Sequence, residues 1–165
     1  MNASRFLRHL FISRSVTRRY FGPGVLADIE AAIRTVEAEH AGEIRFVVET
    51  ALDLAELVQD VSTRRRAMQV FGQLGVWDTA ENNGVLIYLL LADRVVEIVA
   101  DRGIASRVPQ SEWDGVCREM ERHFRERRFA QGSVAGIVAV GQLLGRHFPR
   151  RRPDANELPD QPVLL

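Results

Sequence analysis

Residues 81–104 read ENNGVLIYLLLADRVVEIVADRGI. Val85 to Leu91 is almost wholly apolar, which predicts a strand covered on both faces. Arg94 to Ala100 is its antiparallel partner, and Ala92-Asp93 is the turn between them. A two-residue loop sets Leu91 opposite Arg94, Tyr88 opposite Glu97 and Gly84 opposite Asp101. One more residue in the loop would shift that register by one. In either register Asn82, Asn83, Asp101 and Arg102 converge at one end of an apolar hairpin. Tyr88 and Glu97 meet across it, either as a partly solvated pair at a sheet edge or as a buried carboxylate beside a phenol, whose pKa would be unusual.

Upstream, Glu43 to Glu49 (EIRFVVE) alternates and is rich in β-branched and aromatic residues, so it reads as a strand. Before it, Val25, Leu26, Ile29, Ile33 and Val36 recur at three- and four-residue steps, predicting an amphipathic helix that ends at Gly42. Leu52 to Gly75 reads as helix in two pieces broken near Ser62, its apolar set including Leu54, Leu57, Val58, Val61, Met68, Phe71 and Leu74. Arg64-Arg65-Arg66 within it reads as a solvated face. A long helical crossover between the first two strands implies a parallel pair. Downstream, helices are expected over Ser111 to Glu126 and Gln131 to His147. Gly136 and Gly141 in the second are expected to allow close helix–sheet packing, and Pro149 stops it.

The order is therefore α-β-α-β-β-α-α. The fold class is α/β, a small mixed sheet of a parallel pair plus an antiparallel hairpin, sandwiched between helices. Three segments are expected. Residues 1–21 are a basic helical extension holding Arg5, Arg8, Arg14, Arg18 and Arg19 and no acid. Its short apolar stripe reads either as a surface docked on the body of its own domain or as a membrane-surface or partner-docking helix. Residues 22–148 form the main domain, and 149–165 an extended tail along the body.

Composition narrows the functions. The 165 residues are 46% hydrophobic and 27% charged with formal net charge zero, so no global field steers the chain to nucleic acid or acidic membranes. All 22 basic residues are arginine. Without lysine there is no Schiff-base chemistry and no P-loop lysine. Cys117 is the only cysteine, which excludes an intrachain disulfide and a multi-thiolate zinc site. It reads as a small core residue among Trp113, Val116, Met120 and Phe124. No segment reaches the roughly 20 apolar residues that span a bilayer, and Arg5, Arg8, His9 and Arg14 interrupt any signal-peptide core. A cytoplasmic location is expected.

The sheet should have two polar rims. The first gathers Glu43, Asn82, Asn83, Asp101 and Arg102. Its carboxylate, amide and carbonyl oxygens suit calcium or magnesium, and its guanidinium suits an anion. Turn chemistry alone would also favour these residues. The second rim gathers Glu49, Asp93 and Arg94. His9, His40, His123 and His147 are scattered over four helices and read as surface or cap residues. Of these, His40 could approach the first rim, with Glu39 and Glu43. Ser106 and Ser133 have no histidine at an informative spacing.

The strand GEIRFVVE, the entry NNGVLIYLLL, the turn DR, the strand VEIV and the exit ADRGI together resemble the TPM domain. The segment FRERRFAQGSVAGIVAV is similar to that family's closing stretch. The likeness covers roughly residues 22–148 and points to a cytosolic bacterial branch. It implies the mixed α/β sandwich already read from the strands. It also implies a binding or accessory module for an unknown protein partner, which could be membrane-associated since many members are secreted or membrane-tethered, and a divalent cation on the rim. An alternative is a metal-assisted phosphatase acting on phosphomonoesters, since an acid phosphatase activity and photosystem II repair are attributed to thylakoid-lumen relatives. The family's asparagine-glycine entry falls on Asn83-Gly84, its acidic turn on Asp93 and its glycine-containing exit on Asp101-Arg102-Gly103. Asn82 stands where secreted members often carry aspartate, and Asp101 where they often carry a second glycine. On this reading Asn82, Asn83 and Asp101 would hold the ion and Arg102 a phosphoryl group.

Overall fold

The computed structural model describes residues 3–150 and 156–165. Met1, Asn2 and residues 151–155 of the expected tail lie outside the described residues. The elements are α1 (Ala3–Phe11), α2 (Arg14–Tyr20), α3 (Pro23–Glu37), β1 (Glu43–Glu49), α4 (Leu54–Val58), α5 (Thr63–Gln73), β2 (Gly84–Leu90), β3 (Val95–Ala100), α6 (Arg102–Ala105), α7 (Gln110–Arg125), α8 (Phe129–His147) and β4 (Val163–Leu164).

The sheet runs β3-β2-β1-β4. β1 and β2 are parallel, with Glu43 beside Gly84 and Glu49 beside Leu90. β2 and β3 are antiparallel, with Tyr88 opposite Glu97 and Val85 opposite Ala100. That is the register expected from a turn on Ala92-Asp93. The turn closes through Arg94 N–H to the Leu91 carbonyl at 3.2 Å, with Arg94 in the left-handed region at φ 53°.

Side chains alternate across the sheet, so each face builds its own core. Ile44, Phe46, Val48, Val85, Ile87, Leu89 and Ile98 pack on Ile29 and Ile33 of α3, Met120 and Phe124 of α7, and Ile137, Val140 and Leu144 of α8. Val47, Leu86, Tyr88, Leu90 and Val99 pack on Leu57 of α4 and on Ala67 and Val70 of α5. β2 is buried at every position, as its unbroken apolar run requires. This is the α/β sandwich expected.

Local signals set the ends. Pro23 opens α3 at its first turn, where a missing N–H costs nothing. Asp53 and Glu56 form a reciprocal capping box on α4, and Ser62 caps α5 through Arg65 N–H. The break near Ser62 is therefore two capped helices. The N-terminal extension is also two helices, split at Ile12-Ser13.

Several expectations give way to tertiary context. The tail contributes a fourth strand: β4 pairs in parallel with β1, Val47 beside Val163. Leu54, Val58 and Met68 are exposed, at 61%, 64% and 58%, because α4 and α5 turn Leu57, Ala67 and Val70 inward instead. Gly136 and Gly141 serve helix–helix contacts rather than helix–sheet contacts. A Cβ at Gly136 would lie 2.2 Å from the Met120 sulfur on α7, and one at Gly141 2.6 Å from Val36 Cβ on α3. Cys117 is half-buried against the first core, as expected. Burial first, then Glu97 and Glu121, pushes its thiol up to about 12, so it is no thiolate at neutral pH.

Candidate functional site

The hairpin register delivers the first rim. Asp101 N–H donates to the Gly84 carbonyl at 2.9 Å, and Glu43 N–H donates to the Asn83 carbonyl at 3.1 Å. The entries of β1 and β2 and the exit of β3 therefore share one edge. Asn82 takes a left-handed conformation, φ 52°, which asparagine tolerates better than most residues. Its Oδ1 accepts from Arg102 Nε at 3.1 Å. Asn83 is 2% exposed; its N–H donates to Thr79 Oγ1 at 3.0 Å and its side-chain amide to the Ala41 carbonyl. Asp101 caps α6, with Oδ1 accepting from Arg102 N–H at 2.7 Å. The short α6 after the strand exit was not foreseen, although an aspartate before a helical turn is its ordinary signal.

Two oxygens on this rim are buried without a hydrogen-bond partner among the described residues: Asn83 Oδ1 and Asp101 Oδ2. A buried carboxylate or amide oxygen left so costs on the order of 1–3 kcal/mol. Backbone carbonyls also crowd the two glycines of this rim. A Cβ at Gly103 would fall 2.5 Å from the Asn82 oxygen and 2.9 Å from the Glu81 oxygen. At Gly84 it would fall 1.9 Å from the Val76 oxygen. Both glycines of the rim are thus required by close backbone approach.

Glu43, grouped with this rim from sequence, sends its carboxylate elsewhere. It accepts Leu158 N–H from the tail at 3.1 Å and joins a cluster that sequence reasoning missed. Glu37 Oε1 accepts Ile44 N–H at 2.6 Å, and Asp160 receives Arg34 Nε at 3.3 Å and the Asn156 amide at 2.7 Å. Burial, with Glu43 and Asp160 nearby, raises the Glu37 carboxyl to about 9 against the pull of the Ile44 bond. The signal in the sequence was the acid pair of the tail, Glu157 and Asp160, but only the fold brings Asp160 to Glu37. His40 is buried rather than a surface cap; its Nδ1 accepts Gly42 N–H at 3.1 Å, and it shares a cavity with Glu37 and Glu43.

The second rim separates into two clusters. Glu49 is 5% exposed and is held by Arg66 through Nε–Oε2 at 2.8 Å and Nη2–Oε1 at 2.7 Å, while Tyr88 donates its hydroxyl to Oε2. Arg66 also meets Glu56 at 3.0 Å, so one arginine of the Arg64–Arg66 run is a core ion-pair residue rather than part of a solvated face. Tyr88 faces Glu97 only through the backbone register. Its phenol turns to Glu49 and is held far above its usual range, first by burial and then by that carboxylate. Glu97 meets Arg64 at 3.5 Å instead.

Asp93 is the anchor for α1. Arg5 Nε, Arg8 Nη2 and His9 Nε2 lie 2.8, 3.0 and 3.1 Å from its carboxylate. Burial alone would raise its pKa, but these hydrogen bonds outweigh burial and hold it below the usual carboxylate value. His9 is buried too: Leu52 N–H donates to its Nδ1 at 3.0 Å, which places the ring proton on Nε2, toward Asp93. Arg94, the third residue of this rim, is exposed beyond the turn.

Among the described residues no group of three or more His, Cys, Asp or Glu is arranged to hold a metal. The first rim differs in kind, since most of its oxygens are amide and backbone. The family model for the TPM domain matches residues 17–143. The chain belongs to the TPM domain family. Its TPM domain is similar to the BA42 protein of the psychrophilic bacterium Bizionia argentinensis, at 33% identity over 86% of this chain and 92% of that one, with a TM-score of 0.75. The fold is shared with the N-terminal domain of a P. gingivalis protein, at 24% identity over 74% of this chain and 76% of that one, TM-score 0.59. It is also shared with the N-terminal domain of the cg2496 protein of Corynebacterium glutamicum, at 15% identity over 82% of each chain, TM-score 0.57. No curated protein matches the chain. No helix among the described residues is long and apolar enough to cross a membrane.

Proposed function

We propose that this TPM domain is a binding or accessory module for a protein partner, and that a divalent cation, calcium or magnesium, orders its first rim. The observation that carries the reading is the pair of buried, unpartnered oxygens, Asn83 Oδ1 and Asp101 Oδ2, on a rim whose Gly103 packs against the Glu81 and Asn82 carbonyls. All are hard oxygen donors, the set that calcium and magnesium prefer. Asn83 and Asp101 would hold the ion, with Asn82 contributing. A single carboxylate places affinity in the weak range, on the order of 10⁻⁴–10⁻³ M.

Unfolding by urea with and without calcium tests this. At ~10 mM ion and a Kd of ~1 mM, stability rises by about 1.4 kcal/mol. The gain disappears in Asp101→Ala. An equal gain in that variant, or from sodium chloride of matched ionic strength, would remove the cation from the account.

One observation favours a second reading, the metal-assisted phosphatase. The Arg102 guanidinium stands on the same rim, bonded to Asn82, where it could neutralise a phosphoryl group. Steady-state hydrolysis of p-nitrophenyl phosphate that vanishes in both Asp101→Ala and Arg102→Ala would establish it. Activity retained in both variants would be a contaminant's.

A further inference from the structure

α1 presents two faces. Arg5 and His9 turn to Asp93 and fix the helix against the body, with Phe6 packed on the second core. Leu7, Leu10 and Phe11, spaced i, i+3, i+4, form the opposite face and are 52%, 59% and 76% exposed. Phe11 is the most exposed large hydrophobic residue described. A latch of buried His9, part-buried Arg5 and exposed Arg8 on Asp93 thus holds an apolar face outward rather than letting it fold onto the core.

Positive charge follows that face along the chain. Arg14, Arg18 and Arg19 on α2 follow immediately and have no acidic partner among the described residues. Arg14 and Arg18, one turn apart, line a cavity of about 330 Å³ together with Thr17, Thr50, Leu164 and Leu165. No acid occurs in residues 1–21. The chain's zero net charge leaves this local surplus intact, because screening confines it to within about 10 Å.

We propose that residues 3–19 form a docking surface for an anionic lipid bilayer. Leu7, Leu10 and Phe11 enter the boundary between headgroups and acyl chains, and Arg14, Arg18 and Arg19 contact headgroup phosphates. The pairing of an exposed apolar face with unneutralised cations is what an interfacial helix needs. A protein partner of acidic surface would also match the arginines and cover Phe11, and is the occupant to which an absence of flotation would point. The surface is independent of the cation rim, which lies at the opposite end of the hairpin from Asp93.

Flotation of the full chain with vesicles of 70:30 phosphatidylcholine and phosphatidylglycerol tests the proposal. Wild type should float with these vesicles at 0.1 M salt, much less at 0.5 M, and not with phosphatidylcholine alone. Leu7→Ser/Phe11→Ser should lower partitioning about tenfold or more. Replacing Arg14, Arg18 and Arg19 by glutamine should lower it about fivefold per arginine. Both variants change exposed residues, and their melting curves should match wild type, which separates lost docking from lost folding. No flotation, or flotation unchanged in both variants, overturns the proposal. So does a wild-type dimer in sedimentation that Leu7→Ser/Phe11→Ser makes monomeric without any lipid binding, since a second copy would then own the face.

Discussion

Replacing Arg66 by methionine keeps a long apolar stem in place and removes the charge. Glu49 then loses both guanidinium hydrogen bonds, at 2.8 and 2.7 Å, and keeps only the Tyr88 hydroxyl. At 5% exposure it cannot recover the loss from water. Breaking a buried pair in this way costs about 3–5 kcal/mol, because an uncompensated charge remains. For a chain of this size that lowers the melting temperature by about 6–20 °C. The double variant Glu49→Gln/Arg66→Met removes the stranded charge while its amide oxygen still accepts from Tyr88. The cost then falls toward the ~1–3 kcal/mol of an imperfectly paired polar group, so about 2 kcal/mol should return. Urea unfolding followed by the fluorescence of buried Trp113 reads both quantities. A loss below about 1 kcal/mol in the single variant, or a double variant no better than the single one, would refute the assignment of Arg66 to the core.

Glu37→Gln should flatten the pH dependence of stability. The folded-state value of about 9 lies above the ordinary 4.5, so the folded chain keeps a proton that the unfolded chain has released. Wild-type stability from this group is full below pH 4.5 and drains as pH rises toward 9, by at most about 1.4 kcal/mol per unit. Glutamine mimics the protonated form, and its unfolding free energy should exceed that of wild type at pH 8. Gly84→Ala should lose about 1–3 kcal/mol or fail to fold, because its Cβ meets a fixed carbonyl at 1.9 Å, whereas Gly115→Ala, with nothing within 4 Å, should gain about 0.5–1 kcal/mol; thermal melts compare them. Asp93→Asn should release α1, raising amide hydrogen exchange over residues 3–11 at least about tenfold while the sheet stays protected; unchanged exchange would show that Phe6 packing alone holds the helix.

The hairpin was legible because strand alternation and turn chemistry are local. An apolar run, a two-residue corner and an alternating partner leave little choice of register, and Gly84 does stand beside Asp101. The parallel first pair followed from the length of the crossover. Arg66 escaped notice because a run of three arginines looks solvated until the fold carries Glu49 to one of them. His9 and His40 look like surface residues for the same reason, since their partners, Asp93 and Gly42, matter only once α1 and the β1 entry are placed. A two-residue strand has no period to read, so Val163-Leu164 could be seen only as extended chain. The rim residues themselves were visible. What no sequence displays is which of their oxygens end without a donor, because that depends on Asn83 spending its amide on Ala41 and Asp101 spending one oxygen on capping α6.

Those two oxygens make the decisive measurement a residue-resolved one. In a calcium titration to ~10 mM, the backbone amide signals of Asn82, Asn83, Gly84, Asp101, Arg102 and Gly103 should move together along one saturable curve, leave the Asp93 end untouched, and stay still in Asp101→Ala. Signals that remain fixed, or that drift everywhere to the extent sodium chloride produces, would contradict a cation on this rim.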